Sequence, residues 1–575
     1  MLFRSNNLDK AKVKFTTKLN GNQDGFEVPL AVKPVDITEQ VVESGVTRNQ
    51  VKIPVNIASN VVADAGGLEI SLASTLIPEI TAPAKQVLDN EDLPFLEPVA
   101  SKLAIASNLE ILGKQYDQTI AEFNPSQQST EAIKQLQKLQ RPDGGFARWP
   151  GQKSSDPFVS PYAATALARA KAAGLPVDAG MVSRLQNYLQ KILANPGQYD
   201  YCKSVVCKSK VRLEALMGLA ELGQTRSDFL GYLYEQSSNF DRVTQIKLAR
   251  YLLQFPQWRS QAQTLVNQFQ ESIYQTGRSA RINLPQSWRW LDSSTTAQAQ
   301  ALRLFIAQNS SAEVRSKLLQ GLLELRRDGT WQTSYDNAQA LSALVDYSRL
   351  QPTPPSFGAT VQLAGKKLGS AQFQGYQKPS QSIQVTMDKL PRGRHDLILK
   401  KSGAGTLHYL TSYRYRLQGD QAGRFNGLRV NKTIRPANQE NVLRKIGLYA
   451  LKEPLTVPAG QVFDIGVEVI TDHPVDHVVI EDPLPAGLEP VDTSFQTATP
   501  YFQAQQDSWQ IDYQKIHRDR IVAYADRLEA GVYNLHYLVR SVTPGTYLWP
   551  PAQAHLNYAP EEFGRSASST LVIND

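Results

Sequence analysis

Near the start of the chain apolar and polar residues alternate one by one, in the runs from Ala11 to Leu19 and from Phe26 to Leu30. Alternation at period two marks a strand with one buried face. It continues from Val51 to Ile57 and from Gly67 to Leu72, so the chain up to about Ser74 reads as β structure. A sequence that opens inside a strand pattern reads as a piece of a longer polypeptide, with any targeting signal upstream of Met1.

From about Ala84 to Leu350 the spacing becomes helical, in Ala- and Leu-rich stretches such as Pro161 to Ala170 and Arg212 to Leu222. Gly174, Pro176 and Asp178 place a helix stop, a breaker and an N-cap within five residues, the mark of a helix hairpin. Two turns repeat one motif, Asp143 to Trp149 and Asp328 to Trp331, each between helices. Asp-Gly makes the tight turn and the aromatic residue folds back as a plug between hairpins. This arrangement predicts an α/α toroid.

After Pro352 to Pro355 the β pattern returns, in Ala359 to Leu363, Ser382 to Thr386 and Tyr409 to Tyr415. The helical block is therefore expected as an insertion between two β halves. A bridge from Gly419 to Gly427 leads to strands at Val462 to Val469, His477 to Ile480 and Val532 to Val539, whose spacing predicts a sandwich.

Composition sets limits. A chain of 575 residues exceeds one compact core, so several domains are expected. The net charge of +7 comes from 61 basic and 54 acidic residues scattered along the chain, which argues against nucleic-acid binding. No stretch reaches the roughly 18 consecutive apolar residues of a membrane span.

Candidate chemistry is sparse. The two cysteines, Cys202 and Cys207, are spaced to close a small disulfide loop in an oxidising compartment, or else are buried reduced thiols. All seven histidines lie at or beyond His395, so the helical block lacks a His base, and metal binding there is disfavoured. His473 and His477 flank a turn and read as surface residues. Trp288, Trp290 and Asp292 fit a carbohydrate groove, or more simply core packing and a cap. Asp143, Asp156 and Asp328 are tempting acids, but each stands beside Gly or Pro, where turn-making and capping account for it.

The order β half, helical block, β half, β sandwich resembles the C-terminal region of the bacterial alpha-2-macroglobulin family. Local runs carry the likeness: Ser155 to Ala163, Ser294 to Ala297, Glu481 to Pro490, Arg518 to Asp526 and Thr543 to Tyr547. The resemblance implies a multidomain α+β fold, with an α/α toroid inserted in a CUB-like β domain and a macroglobulin-like β sandwich at the end. It divides the chain into the end of a macroglobulin-like domain (1–40), the first CUB-like half (41–83), the toroid (84–350), the second CUB-like half (351–418) and the C-terminal sandwich (419–575).

The same resemblance implies where the family's reactive group would stand. Its Cys-x-Glu-Gln motif, whose thiol and carboxamide condense into a thioester, corresponds to Phe95, Leu96, Glu97 and Pro98. Phe95 stands for the Cys and Pro98 for the Gln, so neither half of the bond is present. The family likeness also implies that this loop packs against the C-terminal sandwich, with Phe95 as an apolar anchor.

The function so implied is endopeptidase inhibition by non-covalent trapping or steric hindrance in a full-length protein. It is not an enzyme, and it needs neither cofactor nor metal. Proteases and upstream macroglobulin domains are the implied partners, with a periplasmic or cell-envelope location. Two other readings remain open: an enzyme on the toroid, glycosidase- or cyclase-like, and a non-catalytic envelope scaffold.

Overall fold

A computed structural model describes residues 9–32, 38–75, 81–89, 93–117, 123–198, 202–282, 293–327, 329–351, 353–417, 419–449, 453–491 and 504–575. Trp288, Trp290, Asp292 and Asp328 lie outside these residues.

Asp9–Leu19 and Asn22–Val32 pair as an antiparallel hairpin. Its turn is Asn20-Gly21, both at positive φ (50° and 84°), the two-residue connection whose twist suits paired strands.

Two four-stranded antiparallel sheets follow, and each mixes strands from both sides of the helical block. One runs Ser380–Thr386, Gly67–Ala73, Leu407–Tyr415, Glu39–Thr47. The other runs Gln50–Ile57, Gly393–Ala404, Ser356–Leu363, Lys366–Gln374. Alternation decides which face is buried: Ile53, Val55 and Ile57 point inward from one sheet, Leu68, Ile70 and Leu72 from the other, and they share a core with Val361, Leu397 and Leu399. The chain thus leaves this sandwich after Ala73 and returns to it at Ser356.

Between those points the described residues hold twelve α-helices: α1 (Thr81–Asp89), α2 (Leu96–Tyr116), α3 (Pro125–Leu139), α4 (Ser160–Ala172), α5 (Ala179–Ala194), α6 (Val205–Glu221), α7 (Leu230–Glu235), α8 (Arg242–Leu252), α9 (Arg259–Gln270), α10 (Ser294–Ala307), α11 (Ala312–Glu324) and α12 (Ser334–Ser348). The even-numbered helices form a closed ring, each packed on the next and α12 packed back on α2. Helices α3, α5, α9 and α11 lie outside, against α2, α6, α8 and α10.

Ring helices are covered on all sides, which sets their composition. Every residue from Val99 to Leu109 of α2 and from Thr295 to Phe305 of α10 is buried, and many are Ala, Ser or Thr, small enough for close packing. A buried hydroxyl can turn back on its own helix, as Ser107 Oγ does to Leu103 O at 2.7 Å.

The last part of the chain is a second β sandwich. A six-stranded sheet containing Val475–Pro483 and Arg520–Leu528 faces a five-stranded one containing Leu428–Pro436, Val462–Thr471 and Gly531–Ser541, with a three-stranded sheet at one end. The core between them holds Phe463, Ile465, Val467, Ile480, Leu535 and Trp549. Within that core Lys432 Nζ meets Asp482 Oδ1 at 2.6 Å, both side chains essentially sealed from solvent. Lys432 also donates to Pro550 O at 2.9 Å, and the Tyr537 hydroxyl donates to Asp482 Oδ2 at 2.6 Å.

Removing one partner of such a pair leaves the other buried and uncompensated. Lys432→Met is expected to cost about 3–5 kcal/mol of sandwich stability. Adding Asp482→Asn should recover part of that loss, read in urea unfolding by tryptophan fluorescence.

Candidate functional site

The ring has two mouths, and the Phe95 to Pro98 segment stands at the one formed by the N-terminal ends of the inner helices. Phe95 is the N-cap of α2, in extended conformation and without a side-chain cap bond. Its carbonyl accepts from Val99 N at 3.1 Å, closing the first turn. Pro98 occupies that first turn, where a missing N–H costs nothing because the position has no intrahelical acceptor. Leu96 is fully buried, and its N–H donates to Arg148 O at 3.0 Å.

That bond ties the segment to the Asp143–Trp149 turn. Gly144, at φ 95°, has room for no Cβ: one would stand 2.0 Å from Arg184 O. Asp143 Oδ1 accepts from Gly145 N (3.1 Å) and Ser155 Oγ (2.6 Å). Phe146 is fully buried, and its N–H donates to Ser160 Oγ at 3.0 Å. Asp156 accepts from the N–H groups of Phe158 and Val159 and pairs with Arg148 Nε at 2.6 Å. The two acids therefore hold a turn and a helix start. The Phe95 ring meets the exposed Trp149 edge-on, with centroids 4.0 Å apart.

Further into the mouth runs a hydroxyl chain. Ser101 Oγ donates to Glu97 Oε1 at 2.6 Å, which leaves the Tyr162 hydroxyl to donate to Ser101 Oγ at 2.9 Å. Tyr162 packs on Tyr335, with centroids 4.9 Å apart. Burial raises the Glu97 carboxyl, Ser101 partly offsets this, and nearby Asp336 adds to it. Burial also pushes the Tyr162 phenol well above its ordinary value. Asp336 accepts from Ser293 Oγ and, at 3.3 Å, from Thr296 Oγ1, so it joins the starts of α10 and α12. What this mouth offers is apolar contact and hydrogen bonding. Among the described residues there is no cluster of three or more His, Cys, Asp or Glu side chains placed to hold a metal, and no helix long and apolar enough to cross a membrane.

Cys202 and Cys207 are joined by a disulfide at the start of α6, where Ser204 Oγ accepts from Cys207 N at 3.1 Å.

Phe95 packs its ring on Trp149 of the helical block. The sandwich meets the helical block elsewhere, at a hairpin of Ile273–Gln275 with Ala280–Ile282. Arg278 on its turn reaches Glu561 of the sandwich (2.6 Å), and Ser44 N of the strand Glu39–Thr47 donates to Gly277 O (2.7 Å). A Cβ at Gly277 would stand 1.7 Å from Val42 O, so only glycine permits this approach.

At the same seam the rings of Tyr274 and His473 stack 3.7 Å apart. His473 is thus not the surface residue its turn-flanking position predicts. Its side chain is 5% exposed, because the hairpin covers it. Burial opposes its protonation, but Glu562 and Asp472 outweigh burial and raise its pKa. The sequence held no signal for this seam, since its members are far apart in the chain.

Comparison with known proteins gives three findings. Residues 427–561, within the C-terminal sandwich, match the family model described as "Bacterial Alpha-2-macroglobulin MG10 domain". An alpha-2-macroglobulin homolog from a Nostoc species is 62% identical over 566 residues, 98% of this chain and 30% of the relative; one from Yersinia pestis is 23% identical over 460 residues, 74% of this chain and 21% of the relative. Among solved structures, trypsin-activated alpha-2-macroglobulin from Escherichia coli matches with a TM-score of 0.59 at 18% identity, over 99% of this chain and 38% of that one, a likeness of fold. The chain spans less than a third of the length of the curated relatives it matches.

Two outcomes are expected. Phe95→Ala should lower ring stability by about 1–2 kcal/mol, the order of a half-buried aromatic pair, while leaving hydrogen exchange at Ile273–Ile282 unchanged. His473 has a raised folded pKa, so its contribution is full below about 6.5 and is lost as pH rises through the folded value. Protection from hydrogen exchange at the hairpin, taken relative to the intrinsic rate at each pH, should therefore fall as pH rises through the folded value, and His473→Gln should flatten that dependence.

Proposed function

Because the chain belongs to the bacterial alpha-2-macroglobulin family, we propose that it serves as the C-terminal part of an endopeptidase inhibitor that works without a thioester. On this reading the six-helix ring is the family's α/α toroid, and the two mixed four-stranded sheets are the halves of its CUB-like domain, 41–83 and 351–418. Residues 419–575 are then the last macroglobulin-like domain, and residues 1–40 the end of an earlier one. Inhibition acts through the full-length protein, by trapping or steric hindrance, with proteases and upstream macroglobulin domains as partners in the cell envelope.

The observation that carries the reading is the chemistry at the N-terminal mouth. Phe95 has no sulfur and Pro98 no carboxamide, and both positions are accounted for structurally, one by packing on Trp149 and the other by the first turn of α2. A site so filled has nothing to form an acyl bond with an attacking protease.

The test is to mix the full-length protein with trypsin. Shielding is expected: trypsin keeps its activity on a small amide substrate, loses it on a large protein substrate, and separates from the inhibitor under denaturing conditions. Trypsin-linked bands that survive denaturation and need no crosslinker would overturn the loss of covalent capture. Undiminished activity on the large substrate would overturn inhibition itself.

A further inference from the structure

The middle of the ring is not filled. A cavity of about 460 Å³ opens at the N-terminal mouth, and a second of about 560 Å³ at the opposite mouth. Met217, Glu221, Arg250 and Arg303 line both, so they form the floor between the two spaces. Around that floor, charges from five ring helices meet. Asp346 of α12 accepts from Arg169 of α4 at 2.9 Å and from Arg303 of α10 at 2.6 Å, and Glu221 of α6 lies 3.4 Å from Arg303.

Other cations facing the first cavity are also paired: Arg148 with Asp156, Lys210 with Asp241, and Lys247 with Glu214 at 2.8 Å. Arg250 of α8 is different. Among the described residues it has no ion pair and no hydrogen bond, although it is half-buried in the cavity floor. Burial, then the charge of Arg303, brings its guanidinium down to about 9 although Glu221 and Asp346 act to raise it, so it is still charged at neutral pH, with those carboxylates near but not in ion-pair contact.

A second unsatisfied group lines the same cavity. Gln300 of α10 is 2% exposed; its Nε2 donates to Gln339 Oε1 at 2.7 Å, while its own Oε1 has no partner. A buried carboxamide oxygen without a donor costs free energy that a ligand N–H or O–H recovers. Tyr162, Phe158, Tyr335 and Met217 supply the apolar part of the wall. The volume falls in the usual range for small-molecule sites, about 300–1,000 Å³.

We propose that this cavity binds a small organic anion bearing an N–H donor and an apolar or aromatic body, its carboxylate on Arg250 and its donor on Gln300 Oε1. An N-acylated aromatic amino acid has this chemistry, and so does the free C-terminal end of a peptide. A planar guanidinium favours a carboxylate over a spherical halide because it donates two parallel hydrogen bonds. The N-terminal ends of α4, α8 and α12 border the cavity and add positive potential.

The test uses this chain and titration calorimetry. N-acetyl-L-phenylalanine is expected to bind one to one, and more weakly as salt rises. Its uncharged amide should bind at least tenfold more weakly, and Arg250→Gln should lose at least tenfold for the acid but not for the amide. A peptide of about ten residues ending in Phe separates the two sources. Binding equal to the acid's assigns the site to peptide ends, and exclusion assigns it to free small acids. Should Arg250→Gln fail to give a cooperative melt, Gln300→Met supplies the second variant, with the same expected loss for acid and amide alike. Absence of saturable acid binding up to about 10 mM, or unchanged affinity in a folded Arg250→Gln or Gln300→Met protein, overturns the proposal.

Discussion

The closure of α12 onto α2 holds the helical block together, and the β sandwich beside it depends on the same contact. The chain leaves that sandwich after Ala73 and must return at Ser356, so the intervening helices have to finish close to where they began. Closure is made by small side chains and a few buried polar bonds. Asn108 Nδ2 of α2 donates to Ser342 Oγ of α12 at 2.9 Å, and Gln115 Nε2 donates to Gln351 O at 3.1 Å just beyond it. Buried amides of this kind specify one register, because a slipped ring would leave them unpaired at about 1–3 kcal/mol each.

Closure has an electrostatic consequence. In the ring the inner helices run the same way, so their dipoles add, with positive ends at one mouth and negative ends at the other. Arg169, Arg250, Arg303 and Arg349 line the cavity at the C-terminal mouth, where cations offset that field. Asp346 then pairs with three of these arginines, Arg169, Arg303 and, at 3.6 Å, Arg349, and is held well below the ordinary carboxylate range; burial alone would raise it, but Arg303 and Arg169 outweigh burial. Arg250, left over from this pairing, is charged and underused in the ring centre.

The joints between the three units are polar rather than oily. Glu39, 2% exposed on the first sheet, receives Arg565 and Arg424 from the C-terminal part and the Tyr415 hydroxyl from its own sheet. The hairpin at Ile273–Ile282 joins all three units through Gly277, Arg278 and Tyr274. Such contacts exchange well with water once opened, so they suit units that dock and separate better than an apolar seam does.

Local pattern is what the sequence by itself determined. Period-two runs gave the strands, Ala-rich helical spacing and Gly or Pro stops gave the hairpins, and Asp-Gly marked the turn that carries Phe146 and Trp149. These depend on neighbours in the chain, which is why they are legible there. That Phe95 has no sulfur and Pro98 no carboxamide is equally a sequence fact; that they stand where the family has its reactive pair belongs to the proposed function. Tertiary structure alone decided that Phe95 packs on Trp149, that His473 lies under Tyr274, and that Arg250 and Gln300 share a cavity. The physical reason is distance along the chain: burial and charge pairing are set by which remote segments meet, and nothing in the local pattern around residues 250, 300 or 473 encodes that meeting.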